Sequence, residues 1–421
     1  MASWKKTFYI MWLAQFCSIM GFSFVLPFMP LYVRELGVSG DANVAWWAGL
    51  ASSATGFSLM FFSPIWGHLA DHYGRKPMVL RSMFGGAVVL ALMGLSRNVT
   101  DLVILRAIQG ALTGTVTATV ALVASVVPAH RAGFALGMMQ AAVFAGGSIG
   151  PLLGGEMWDR FGPQAPFLMA GAVLALGGLV VKFAVVEDFT RHPASEKHRR
   201  GSFREVFTAA GFLAAALVIF QIQFANMVRQ PVFVLFIEEL YGSGEAVARF
   251  VGRLMFVAGL VAAVFAGVFG RYADTWGHKR MLVFCTVLAG LAVLPQALAR
   301  NVWELGGLQV VFGLAVAGMM PSVNAIVTNV MSPQNLGKAF GVTSSVRCLG
   351  MALGPLTGGY LAIHTGLRGP FVVTGVLLLA TALLVLWSIT PPTSLPGATP
   401  APATDAPQPP SASPGGATDS L

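Results

Sequence analysis

Four of the 26 lysines and arginines lie inside long apolar stretches, and they are the residues best placed to do chemistry: Arg106, Lys182, Arg229 and Arg347. A charge within a bilayer is costly and normally faces a cavity or a partner. Arg106 is spaced with Gln109, Thr113 and Thr117 to form one polar stripe on a helix. Gln223, Asn226 and Gln230 likewise share a face beside Arg229 and fit a polar cavity wall. Snorkelling to an interface explains Lys182 and is the simpler reading for Arg229, whereas Arg347, about eight residues into its helix at 1.5 Å per residue, points to a cavity. For Arg106 the plain alternative is a structural hydrogen bond to a neighbouring carbonyl.

The 17 carboxylates and 7 histidines all fall at helix ends or in loops. Cys17, Cys285 and Cys348 sit in apolar runs without metal or redox spacing, so they read as packing residues. No nucleophile–base set, metal-ligand cluster or phosphate-binding loop is present, and the expectation is no catalytic residue, no metal, no cofactor and no enzyme. A cavity lined by guanidiniums favours anionic or zwitterionic ligands over lipophilic cations.

These side chains need membrane helices to hold them. The chain of 421 residues is 56% hydrophobic and 10% charged, against roughly 25% charged in soluble domains, and the expected class is an all-α polytopic membrane protein. Apolar runs of the ~20 residues needed to cross a bilayer are predicted near 8–33, 46–70, 77–96, 101–126, 133–155, 165–187, 207–237, 246–270, 280–298, 303–328, 339–362 and 369–390. With the N-terminus inside, 15 lysines and arginines lie on inner segments (Arg75, Lys76, Arg81 and Lys279 among them) and 7 on outer ones. This bias places both termini in the cytoplasm. It also explains the net charge of +9 without nucleic acid.

The organising loop is Gly67-His-Leu-Ala-Asp71-His-Tyr-Gly74-Arg75-Lys76, which returns as Gly270-Arg-Tyr-Ala-Asp274-Thr-Trp-Gly277-His-Lys279 at a constant offset of 203. The repeat extends to Pro27 and Pro231, at an offset of 204. Gly146-Gly-Ser-Ile-Gly150-Pro151-Leu-Leu-Gly154-Gly155 matches Gly350-Met-Ala-Leu-Gly354-Pro355-Leu-Thr-Gly358-Gly359 at the same 204. Arg106 aligns with Gln309, Arg229 with Val25, and Arg347 with Val143. A fixed-offset repeat in such a chain means two copies of one membrane module. The predicted layout is a bundle over 1–187, a basic linker over 188–206, a second bundle over 207–390, and a disordered tail over 391–421.

On these residues the sequence resembles the major facilitator superfamily over 1–390. The G-x-L-A-D-x-x-G-R-K loop is that family's most diagnostic motif. Gly146 to Gly155, and Leu105-Arg106-Ala-Ile-Gln109-Gly110 within its longer fourth-helix motif, resemble signatures of its drug:proton antiporters, and the segment Ser63 to Asp71 is similar to bacterial multidrug exporters of that group. The resemblance implies twelve transmembrane helices in two pseudo-symmetric six-helix bundles. It implies a cytoplasmic latch at Gly67, Asp71, Gly74, Arg75, Lys76, Asp274 and Lys279, closed in the outward-facing state. His278 stands where the first copy has Arg75, so the second latch should be the weaker. Hinges are implied at Gly146, Gly150, Pro151, Gly154, Gly354, Pro355 and Gly358, although small-residue packing accounts for the same residues. Substrate or proton handling is implied for Arg106, Gln109, Thr113, Gln223, Asn226, Arg229 and Arg347.

The expected function is secondary export of drugs or amphipathic small molecules by alternating access, coupled to protons, from a monomer in the bacterial inner membrane. The alternative is transport of organic-anion metabolites without protons. The absence of a mid-membrane carboxylate favours that alternative.

Overall fold

The computed structural model describes residues 3–128, 131–185, 187, 203–209, 211–242, 246–332 and 335–388; the side chains of Asp71 and Thr117 are outside that description. Of the predicted linker, 188–202 lie outside the described residues, as does the whole predicted tail over 391–421.

The described residues form sixteen α-helices and one 3₁₀ turn, with no strand among them. The first half runs α1 (Ser3–Val25), the 3₁₀ turn Leu26–Phe28, α2 (Met29–Glu35), α3 (Asp41–Tyr73), α4 (Arg75–Gly94), α5 (Val99–Leu112), α6 (Thr115–Val126), α7 (Ala132–Phe161) and α8 (Ala165–Ala184). The short α9 (Phe203–Thr208) precedes the second half. That half comprises α10 (Phe212–Val228), α11 (Gln230–Tyr241), α12 (Val247–Trp276), α13 (His278–Gln296), α14 (Val302–Val330), α15 (Leu336–Thr365) and α16 (Gly369–Ser388). Among the described residues, ten stretches are long and apolar enough to cross a bilayer. The second span, α3, is 33 residues long but diluted with serine and glycine. The fourth is divided between α5 and α6. Together these make twelve spans, and side chains such as Phe183, Leu298 and Trp387 are left bare for lipid.

Spans one and seven are interrupted at matching places, where Pro27 and Pro231 cannot donate a backbone hydrogen bond. The seventh span begins at Phe212 rather than at 207, because α9 is a separate short helix.

The fourth span differs more from the single run predicted over 101–126. It breaks at Thr113–Gly114, where Gly114 takes φ +122, a conformation that disfavours any side chain. Its repeat counterpart, α14, continues unbroken through Val316 and Ala317.

Two seams join the halves: α3 against α15, and α7 against α12. Both are closed by glycines at the end of the molecule away from α9. A Cβ on Gly49 would stand 2.4 Å from the Pro355 carbonyl oxygen, and one on Gly252 2.4 Å from that of Pro151. Towards the α9 end the same helices separate, and a Cβ on Gly67, Gly137, Gly267 or Gly341 would meet nothing within 4 Å. Between α7 and α12 this leaves an apolar cavity of about 590 Å³, lined by Gln140, Phe144, Phe256 and Leu260 among others. The molecule is thus a V, sealed at the far end and open at the α9 end.

Candidate functional site

Arg106 is 5% exposed. Its Nη1 donates to Gln109 Oε1 at 2.6 Å, one turn along the same helix. The carbonyl of Arg106 accepts a bond of 2.9 Å from Thr55 Oγ1 on the second span. Gln109 and Thr113 are buried with Arg106, but the predicted stripe does not run on to Thr117 along one helix, because the span breaks at Thr113–Gly114. The guanidinium Nε has no hydrogen-bond partner.

Arg229 sits at the α10–α11 break, about 18 Å from the Tyr241 end at 1.5 Å per residue. It does not snorkel. The side chain is 8% exposed, donates to Gln309 Oε1 at 2.8 Å, and lies over the Phe312 ring at 3.9 Å. Gln309 occupies the repeat position of Arg106, and Val25 that of Arg229. The two halves have thus exchanged the element that carries the guanidinium: the fourth span in the first half, the seventh in the second. Among the described residues, neither arginine has a carboxylate as a hydrogen-bonding or ion-pairing partner. Arg347 is half-buried with Nε unpartnered, as is Asn226 Oδ1. Gln223 lies against α15, its Cβ 3.0 Å from where a Cβ on Gly350 would be. Among the described residues, no hydrogen bond joins Arg347 or Gln223 to Arg106.

The predicted hinge glycines are close-approach points. Gly146, Gly150 and Gly154 press α7 onto α1, and a Cβ on Gly154 would stand 2.2 Å from the Phe24 oxygen. Gly354 and Gly358 do the same for α15 and α10. Both helices run continuously through Pro151 and Pro355.

The repeated loop faces the open end, and its described basic side chains bond within their own half. Arg75 Nη1 donates to the Ala121 carbonyl at 2.6 Å. Lys76 Nζ caps the end of α8 through the Lys182 and Val185 carbonyls, at 2.9 and 2.6 Å. Glu187 returns the cap by accepting from the Arg75 and Lys76 amides at the start of α4, at 2.9 and 2.7 Å. In the second half Lys279 Nζ caps α16 at the Leu386 carbonyl, 2.9 Å away. Asp274 stands 3.8 Å from His278 on its own helix. Gly74 and Gly277 take φ +94 and +95 at the helix-to-helix turn.

Sequence reasoning missed the charges that bridge the halves at the sealed end. Arg34 of α2 bonds both Glu238 on α11 of the other half and Asp41 beside it, the latter at 2.5 Å. Arg249 of α12 reaches Asp159 and Glu156 of α7 at 3.3 and 3.4 Å. Arg34 and Glu238 are 204 apart, so one repeat position faces its own copy, and the offset was the signal that could have found them. Among the described residues no three His, Cys, Asp or Glu side chains converge on a metal site.

The sequence profile of the Major Facilitator Superfamily matches residues 11–248 and 215–415. The chain is 36% identical over 379 residues to multidrug resistance protein MdtG of Proteus mirabilis, covering 88% of this chain and 93% of that one. It is 33% identical to the MdtG of Klebsiella pneumoniae, covering 93% and 95%. Among solved structures, it superimposes with a TM-score of 0.75 on a bacterial homologue of the human lysosomal transporter Spinster, in an inward-facing and occupied conformation. That match has 14% identity and covers 90% of this chain and 96% of that one. The human organic anion transporter MFSD10 gives 0.69 at 20% identity, covering 91% and 100%. With twelve spans in two repeated halves and relatives aligned from end to end of both, the chain belongs to the major facilitator superfamily and is a membrane transporter.

Proposed function

We propose that this transporter is a secondary exporter of drugs or amphipathic small molecules, working by alternating access and exchanging substrate for protons across the bacterial inner membrane. The V shape carries this reading: the halves seal at one end through glycines and ion pairs and part at the other, as one state of an alternating-access cycle would. The positive-inside bias makes the open end, with both termini, cytoplasmic. The conformation is then inward-facing. In the opposite state the loop around Asp71 and Arg75 would act as the cytoplasmic latch; in this one the hydrogen bonds of Arg75 and Lys76 stay within their own half. A monomer contains the whole path, and the path calls for no cofactor or nucleic acid.

A second reading, transport of organic anions without protons, is favoured by Arg106 and Arg229, two buried guanidiniums with no carboxylate partner among the described residues. Inverted membrane vesicles energised acid-inside, with a pH-sensitive dye, separate the two. Collapse of the gradient on adding ethidium or another amphipathic compound, lost in Arg106→Ala vesicles, supports proton-coupled export. Exchange of labelled p-aminohippurate with no collapse for any compound replaces it with the anion reading.

A further inference from the structure

The break in the fourth span is not a general property of the fold, since the second half supplies an unbroken copy of the same helix. What differs is the set of side chains beside it. At the break, Trp66 Nε1 of α3 donates to the Ala111 carbonyl at 2.6 Å, and Arg81 Nη2 of α4 to the Thr113 carbonyl at 3.5 Å. The Arg81 guanidinium lies flat on the Trp66 ring at 3.5 Å, which fixes both. At the repeat positions the second half has Phe269 and Phe284, which meet edge to face at 6.3 Å and can donate to nothing. Carbonyls freed by a break must find donors inside a membrane. The half with two donors has a broken helix, and the half with two phenylalanines has a continuous one.

Both pieces pack on the third span, α4, and each has a different second neighbour, α3 for α5 and α1 for α6. α5 is held by the second span, through Thr55 and Trp66. α6 is held by the third and first spans: Thr115 Oγ1 donates to Ser82 Oγ at 2.9 Å, and Thr119 Oγ1 to Gln15 Oε1. A cavity of about 260 Å³ lies beside the break, lined by Trp66, Arg75, Arg81, Thr113 and Gly114 among others, so there is room for one piece to turn against the other.

We propose that Trp66 and Arg81 are positioning residues. They hold the fourth span in two pieces, so that α5, carrying Arg106 and Gln109, is oriented by the second span independently of α6. The consequence for transport rests on the proposed role of Arg106 in substrate contact. The break itself does not.

Gly114→Ala is a clean probe, because an added Cβ meets nothing within 4 Å and acts only through the φ of +122. The experiment is hydrogen–deuterium exchange on the full chain in lipid nanodiscs, resolved to the amides of 115–117, with uptake of ethidium and p-aminohippurate into inverted vesicles alongside. In the wild type these amides, at a helix start with no partner one turn back, should exchange at least tenfold faster than those of 318–320 in α14. Gly114→Ala, Trp66→Phe and Arg81→Gln should each close the gap, with Arg81→Lys intermediate, and should raise the apparent KM of the transported probe severalfold. Equal exchange at the two sites in the wild type overturns the break. Unchanged exchange in Trp66→Phe and Arg81→Gln overturns the role of those residues. Changed exchange with an unmoved KM overturns positioning. A wild type that exchanges as expected but moves neither probe counts against the exporter reading instead and leaves the break standing.

Discussion

Arg229 stands where the first half has valine, and Gln309 where it has arginine; each substitution makes sense only in the presence of the other. A buried guanidinium needs an acceptor, and in the second half the position vacated by arginine supplies one. Gln309→Leu should therefore cost about 1.5–3 kcal/mol, the value of a hydrogen bond to a buried charge. This can be read as a lowered melting temperature in detergent, and an unchanged melt would mean that the Phe312 face alone satisfies Arg229. Arg106→Ala should abolish or redirect transport of every charged probe while the protein still inserts. Wild-type kinetics would return Arg106 to a purely structural role. The arginines were legible as charges in apolar runs, but their partners were not. Nothing in local spacing links position 229 to 309, and the snorkelling expected of Arg229 failed because depth depends on where the proline break falls. Arg81 was hidden for the opposite reason: close to an inner helix end, it resembles any other residue that sets topology.

The twelve spans and their repeat could be read directly from apolar length and fixed offset, since both are properties of the linear chain. The breaks could not all be read. Those in spans one and seven are marked by proline, whereas the one in span four depends on donors from two other helices. Glycine has a similar ambiguity. Gly358 and Gly341 lie on the same helix, yet a Cβ on the first would stand 1.8 Å from the Val228 oxygen and a Cβ on the second would touch nothing. Gly358→Ala should thus destabilise by about 1–3 kcal/mol through overpacking against backbone, and Gly341→Ala should be neutral or slightly stabilising. Thermal melts of the two variants, side by side, decide whether the glycine-rich motif is a packing surface before it is anything else.

At the scale of the molecule, the sealed end combines a strong and a weak element. Apposed backbones at the seams cannot be tuned, but the ion pairs can: Arg34 is 35% exposed and Glu238 18%, and such a partly wet pair is worth at most about 1 kcal/mol. Arg34→Glu should shift the population towards the outward-open state a fewfold, and Arg34→Glu with Glu238→Arg should restore it. Spin-label distances between the tips of α2 and α11 would show this, and a double variant no closer to wild type than the single would remove the pair from the gate. The caps at the opposite end have a different consequence. Lys76 ties the sixth span back to the third, and Lys279 ties the twelfth to the ninth, so each half is fastened by its own lysine without help from its twin. Each half is then expected to assemble even when made on a separate ribosome. A gene cut between the codons for 195 and 196 should yield two polypeptides that find each other in the membrane and restore transport.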